Sequence, residues 1–165
     1  MAQVQSVAAA AVYVGSVVVA NTMTARLGLV PIGFGLVVTA GTFAAGVSLV
    51  ARDWVQQTSP RLAVPVLIVV AALVSAITAS PALALASGIA FLVSEVVDWG
   101  VFTPVRRRSL PLAVVVSSVV SAPVDTIGFL WLAGFPVTVS AVAGQFIVKT
   151  AIALAVALLI AAKGR

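Results

Sequence analysis

From Val137 to Ala162 the chain carries a single charge, Lys149, in an otherwise mostly apolar run. Five similar stretches precede it, near Val4–Thr24, Leu27–Val50, Leu62–Ala79, Pro81–Phe102 and Pro111–Leu132. A helix of about 20 apolar residues matches the hydrocarbon core of a bilayer, where it satisfies its own backbone. The repeated runs predict an all-α, polytopic membrane protein. The expected architecture is a six-transmembrane-helix bundle forming one domain over residues 1–165. Composition argues against a soluble fold. The chain is 62% hydrophobic and 8% charged, whereas soluble domains carry about 25% charged residues.

Residue types that are missing narrow the function. The sequence has no His and no Cys. Ser–His–Asp catalysis, thiol chemistry and thiolate metal sites are thereby excluded. No enzyme activity, cofactor or metal is expected. The net charge of +5 does not suggest nucleic acid, because the basic residues fall in short loops between spans. Even-numbered spans put both termini on one side. Arg52, Arg61, Arg106, Arg107, Arg108, Lys163 and Arg165 would share that side, against Arg26 alone on the other. The positive-inside rule then makes both termini cytoplasmic in a cell membrane. No Lys or Arg precedes the first apolar run, so it reads as a retained helix rather than a cleaved signal.

The connections are short. Thr78–Pro81 and Ala133–Pro136 read as tight turns. Gly33, Gly35, Gly41 and Gly46 make the second span an imperfect helix. Either its first turns are irregular and line a cavity, or the glycines allow close helix packing.

Charges inside the spans carry the functional argument. Glu95, Asp98, Asp125 and Lys149 lie within apolar runs. An intramembrane charge costs at least a few kcal/mol, and usually marks a partner, a cavity or a substrate path. At about 1.5 Å per residue, Asp125 and Lys149 fall at one depth, with Gln145 one turn further out. Glu95 and Asp98 lie deeper toward the cytoplasm. The pattern S-x-x-x-D-x-x-x-F occurs twice, as Ser94-Asp98-Phe102 and Ser121-Asp125-Phe129. On two antiparallel helices it predicts an inverted pair with a site between them. Glu95 and Asp98 have no basic residue in their span. Their mutual repulsion predicts that one holds a proton; import is then either proton-linked through Glu95 or Asp98, or passive, with the cell trapping the cargo by consuming it.

Several of these residues together resemble the VUT family of vitamin uptake transporters, which includes queuosine-precursor transporters. The likeness rests on Ala86-Ser87, Phe91, Ser94-Glu95, Asp98, Phe102-Thr103-Pro104 and Arg106–Arg108. It continues through Ser117-Ser118, Asp125, Phe129–Ala133, Gly144-Gln145 and Lys149. Ala20-Asn21, Gly41–Gly46 and Arg52-Asp53 extend it upstream. The resemblance implies an inner-membrane importer with a fold like the substrate-binding subunits of energy-coupling-factor transporters. It implies a 7-deazaguanine cargo, such as 7-cyano-7-deazaguanine, salvaged for tRNA modification. Arg26 and Val148 depart from the family's usual Lys and Gly.

The chemistry fits such a cargo. A carboxylate such as Asp125 or Glu95 accepts two parallel N–H bonds from a guanine-like edge. Gln145 and Asn21 donate and accept, and Phe91, Phe129 and Trp99 offer flat apolar faces. The expected substrate-binding set is Asn21, Phe91, Glu95, Asp98, Asp125, Phe129, Gln145 and Lys149. The plainer alternative makes Asp125–Lys149 a structural ion pair. Trp54 and Trp131 suit the interfacial belt, and Tyr13 and Phe43 suit packing. The expected partners are a small-molecule substrate and the lipid bilayer. The chain acts alone, as a homo-oligomer, or as the binding subunit of a separate ATP-driven module that docks on small residues such as Ala11 and Gly15.

Overall fold

The computed structural model describes residues 2–60 and 62–163. It contains six helices and one hairpin: α1 (Ala2–Leu27), β1 (Leu29–Gly33), β2 (Leu36–Thr39), α2 (Thr42–Thr58), α3 (Ala63–Thr78), α4 (Pro81–Arg106), α5 (Leu110–Leu132) and α6 (Val139–Lys163). Local sequence explains the boundaries. Ser80 and Ser109 cap α4 and α5, each accepting a bond from a backbone N–H three residues on, with Pro in the first turn. Thr138 Oγ1 accepts from Ala141 N at 3.2 Å to start α6. At the end of α5, Gly134 has φ 74°, and Phe135 N donates to Leu130 O at 2.9 Å. This left-handed glycine closure satisfies carbonyls that the helix leaves unpaired.

The second expected span is corrected. Residues 27–50 do not form one helix; they contain the hairpin and only the start of α2. Pro31 has no N–H to donate to a helix ladder. Gly33, Phe34 and Gly35 take φ of 94°, 52° and 73°, which reverses the chain. Leu29 then pairs with Thr39 and Val30 with Val38, antiparallel. Arg52 and Asp53, expected in a cytoplasmic loop, lie inside α2.

Each helix packs on two main neighbours, and the order α1–α2–α6–α5–α4–α3 closes back on α1. The hairpin lies over one end, with β2 against α6. Ser6 Oγ lies 2.7 Å from Ser59 Oγ, which places the start of α1 beside the end of α2 and shows the two to be antiparallel.

Polarity is reversed relative to a soluble bundle. Arg52, Asp53, Glu95, Asp98, Asp125, Gln145 and Lys149 are buried, whereas Val7, Leu73, Ile77, Leu85, Val96 and Val139 are exposed. An apolar exterior around a polar centre suits lipid as the solvent. Four helices are long and apolar enough to cross a membrane: Gln3–Leu27, Pro81–Arg106, Leu110–Leu132 and Val139–Ala162. Six such spans were expected, but α2 and α3 have 17 and 16 residues, and α2 also carries Arg52 and Asp53. Arg106, Arg107 and Arg108 are exposed, at the opposite end from Arg26. Burial removes Arg52 from the loop-charge asymmetry. Arg61, Arg165 and the side chain of Lys163 lie outside the described residues.

Candidate functional site

Six of the eight expected residues line one cavity. Asn21 of α1, Phe91 of α4, Asp125 and Phe129 of α5, and Gln145 and Lys149 of α6 surround it. Thr24, Thr39, Ala45 and Ser87 complete much of the wall, and β2 supplies part of the cover. The four-residue spacings Asp125–Phe129 and Gln145–Lys149 put both members of each pair on one helix face.

The polar geometry is specific. Lys149 Nζ lies 2.7 Å from Asp125 Oδ2 and 2.9 Å from Thr126 Oγ1. An ammonium has three N–H bonds, so one is left after these two. Asn21 Nδ2 donates to Ser87 Oγ at 2.8 Å, and Ser87 donates on to Ala84 O. Gln145 Nε2 is buried without a hydrogen-bond partner among the described residues. Phe129 also packs on Phe135, with ring centroids 6.3 Å apart. The cavity itself is about 20 Å³, room for roughly one water.

The hairpin is seated closely over this cavity. A Cβ on Gly144 would lie 2.5 Å from Val37 O, and one on Gly41 would overlap Ala20 O. Gly41 N donates to Thr24 Oγ1 at 3.1 Å, and the Thr39 and Thr42 hydroxyls are 2.9 Å apart. These contacts fix the return from β2 into α2 against α1. The glycines therefore serve close approach on both sides of the hairpin.

Glu95 and Asp98 lie elsewhere. They meet Arg52, which sits inside the ring of helices rather than at its rim. Arg52 Nε is 3.1 Å from Glu95 Oε2, and Nη2 is 2.6 Å from Asp98 Oδ1 and 3.4 Å from Asp53 Oδ1. Gln56 Nε2 donates to Glu95 Oε1 at 2.7 Å. Two expectations are corrected here. Glu95 and Asp98 do not face each other without a cation, because α2 brings one that their own helix lacks. The two S-x-x-x-D-x-x-x-F motifs do not frame a common site either, since Asp98 pairs with Arg52 and Asp125 with Lys149. Trp99 lines a separate groove with Gln56, Thr103 and Arg106.

Sequence reasoning missed Arg52, Asp53 and Gln56 as parts of a buried cluster, because a helix was placed over residues 27–50 and ended before them. It also missed Thr24, Thr39 and Thr126, whose signal was only a hydroxyl in an apolar context. Trp131 is 73% exposed, as an interfacial residue would be.

No curated protein and no solved structure matches the chain. One family model does, over residues 8–162, and its description is "Putative vitamin uptake transporter". That match takes in α2 to α5, most of α1 and α6, the cavity and the Arg52 cluster, and it points to transport rather than catalysis. A polar, enclosed site ringed by lipid-facing helices is what transport of a small molecule requires. The chain is a membrane protein and belongs to this family of vitamin uptake transporters.

Proposed function

We propose that the chain imports a small, flat, purine-like molecule, most specifically a queuosine precursor such as 7-cyano-7-deazaguanine. The observation that carries this reading is the convergence of Asp125, Lys149, Gln145, Asn21, Phe91 and Phe129 on one cavity. Lys149 fixes the Asp125 carboxylate on one oxygen. The other is left to accept from the N–H and amino group of a guanine-like edge. Gln145 presents an unpaired amide to a carbonyl or ring nitrogen. Phe91 and Phe129 supply the apolar faces that a ring needs. A cavity of about 20 Å³ must widen to admit such a ring, and β2, through Thr39, is part of its wall.

In this reading the chain is a single transmembrane domain that crosses the membrane several times, with both termini cytoplasmic. Exposed Arg106, Arg107 and Arg108 at the end bearing the termini support that orientation. A second reading has a specific observation behind it. Ala11 and Gly15 are exposed on α1, with open space at the Gly15 Cα. A small-residue face of this kind suits docking of a partner helix from an energising module.

Equilibrium binding to the detergent-purified chain tests the cargo. The probes are guanine, 7-cyano-7-deazaguanine, its aminomethyl relative and several vitamins. Saturable binding of a deazaguanine, lost in Asp125→Asn, is expected. Binding of a vitamin but of no nucleobase would overturn the assignment. Uptake into liposomes containing this chain alone, compared with uptake after adding an ATP-driven module, separates the two readings.

A further inference from the structure

All four acidic residues of the chain are buried, and three of them surround one guanidinium. With Arg52 charged and Asp53, Glu95 and Asp98 all ionised, the cluster would hold two negative charges in excess. Its four members are at most 3% exposed. Buried charge without compensation is costly, so the excess favours proton uptake, and one proton would halve it.

The distances show which carboxyl is least compensated. Glu95 Oε1 accepts a hydrogen bond from Gln56 at 2.7 Å, and its Oε2 is ion-paired with Arg52 Nε at 3.1 Å. Asp98 Oδ1 has the closest approach of Arg52, at 2.6 Å. Asp53 has the longest of the three Arg52 ion-pair contacts, to the same Nη2 at 3.4 Å; its Oδ2, like Glu95 Oε2 and both Asp98 oxygens, is buried without a hydrogen-bond partner among the described residues. A second feature lies beside the cluster. Tyr13 of α1, 1% exposed, packs in one cluster with Ala51 and Val55 of α2, beside Arg52, and its hydroxyl has no hydrogen-bond partner among the described residues.

The other neighbours add no compensating charge. Val64 of α3, Val114 of α5 and Val156 of α6 are apolar, and Gln57 donates to the Asp53 backbone carbonyl. Arg106 lies beyond Gln56 and is exposed. Among the described residues, no three acidic groups are placed to hold a metal ion. A proton makes no such demand for convergent ligands.

We propose that the Arg52 cluster is a proton-binding site in which Asp53 is a neutral carboxylic acid, while Glu95 and Asp98 stay ionised and paired with Arg52. Loading adds one proton from water to the Asp53 carboxylate and forms one O–H bond; unloading returns it. Asp53 lies at the edge of a largely apolar groove of about 450 Å³ that Val12, Val50, Trp54 and Val114 also line. The site is distinct from the cavity around Lys149, although Phe91 of that cavity is one helical turn from Glu95. The proton site does not depend on what the cargo is.

Infrared spectroscopy of the purified chain in lipid nanodiscs, without cargo, tests this directly. A protonated-carboxyl band is expected at neutral pH. It should shift when aspartate is isotopically labelled and stay put when glutamate is. It should vanish in Asp53→Asn and persist in Asp125→Asn. In Asp53→Glu the band should instead respond to labelled glutamate, which keeps the test decisive if the Asn variant fails to insert. Absence of the band, its response to labelled glutamate in the natural sequence, or its survival in Asp53→Asn would overturn the proposal. Each readout is independent of cargo binding, so failure of the cargo assignment would leave this result intact.

Discussion

Arg52 of α2 places Nη2 2.6 Å from Asp98 Oδ1 of α4, across the centre of the bundle. The two helices are not neighbours in the ring, so their side chains bridge what their backbones do not. Removing the guanidinium would leave Glu95 and Asp98 buried with no partner of opposite charge. Breaking a buried ion pair from one side costs about 3–5 kcal/mol. Arg52→Gln is therefore expected to lower the stability of the detergent-purified chain by about that amount. Arg52→Lys should recover only part of it, because a single ammonium lacks the planar fork that reaches Glu95 and Asp98 together. Tryptophan fluorescence during thermal unfolding measures both variants. Equal melting of Arg52→Gln and the natural sequence would mean that the cluster contributes nothing to folding.

The position of Arg52 shows where sequence reading stops. Apolar runs of helical length reveal α1, α4, α5 and α6, because lipid forces each to satisfy its own backbone. They do not reveal the hairpin, since Leu29–Thr39 is as apolar as a helix would be. Only Pro31 and the glycines at 33 and 35 signalled a break, and close packing explained the glycines equally well. Placing one helix over residues 27–50 pushed Arg52 to the membrane surface. The Asp125–Lys149 level was legible from helical rise alone, as their 2.7 Å contact reflects. The separation of Asp98 from Asp125 was not, because a repeated motif gives helix faces but not which third helix each face meets.

Asp125 and Lys149 separate a cargo site from a structural lock. Asp125→Asn should abolish uptake while the protein still inserts, since the amide keeps the shape and one acceptor. Lys149→Ala should impair both folding and uptake, because it strands a buried carboxylate. Membrane insertion, melting and uptake are measured in parallel for the two variants and for a neutral double replacement. Full uptake by the double variant would mean that the pair only ties α5 to α6.

Gly144 controls how closely the hairpin sits on α6. An added Cβ would meet Val37 O at 2.5 Å and Val38 Cγ1 at 3.1 Å. Backbone cannot yield there as a flexible side chain would, so Gly144→Ala should push β2 outward. The expected result is faster hydrogen exchange over Leu29–Thr39 and weaker cargo binding by about tenfold, or roughly 1.4 kcal/mol. Gly15→Ala is the control, since its Cβ would meet nothing within 4 Å. Unchanged hairpin exchange in Gly144→Ala would show that α6 does not hold the hairpin in place.

Gln145 offers a test in which stability and binding should move in opposite directions. Its Nε2 is buried with no partner among the described residues, yet it lines the cavity one turn from Lys149. An unsatisfied buried donor costs about 1–3 kcal/mol. A native chain tolerates that cost where the donor is reserved for a ligand. Gln145→Leu removes the donor at similar size, so melting should stay level or rise. Binding should weaken by at least about tenfold, because the cargo loses a hydrogen bond in an enclosed site. Melting curves and equilibrium binding on the same preparation check both halves. A variant that melts earlier and binds cargo normally would assign Gln145 to packing between α6 and its neighbours, and would remove it from the recognition set.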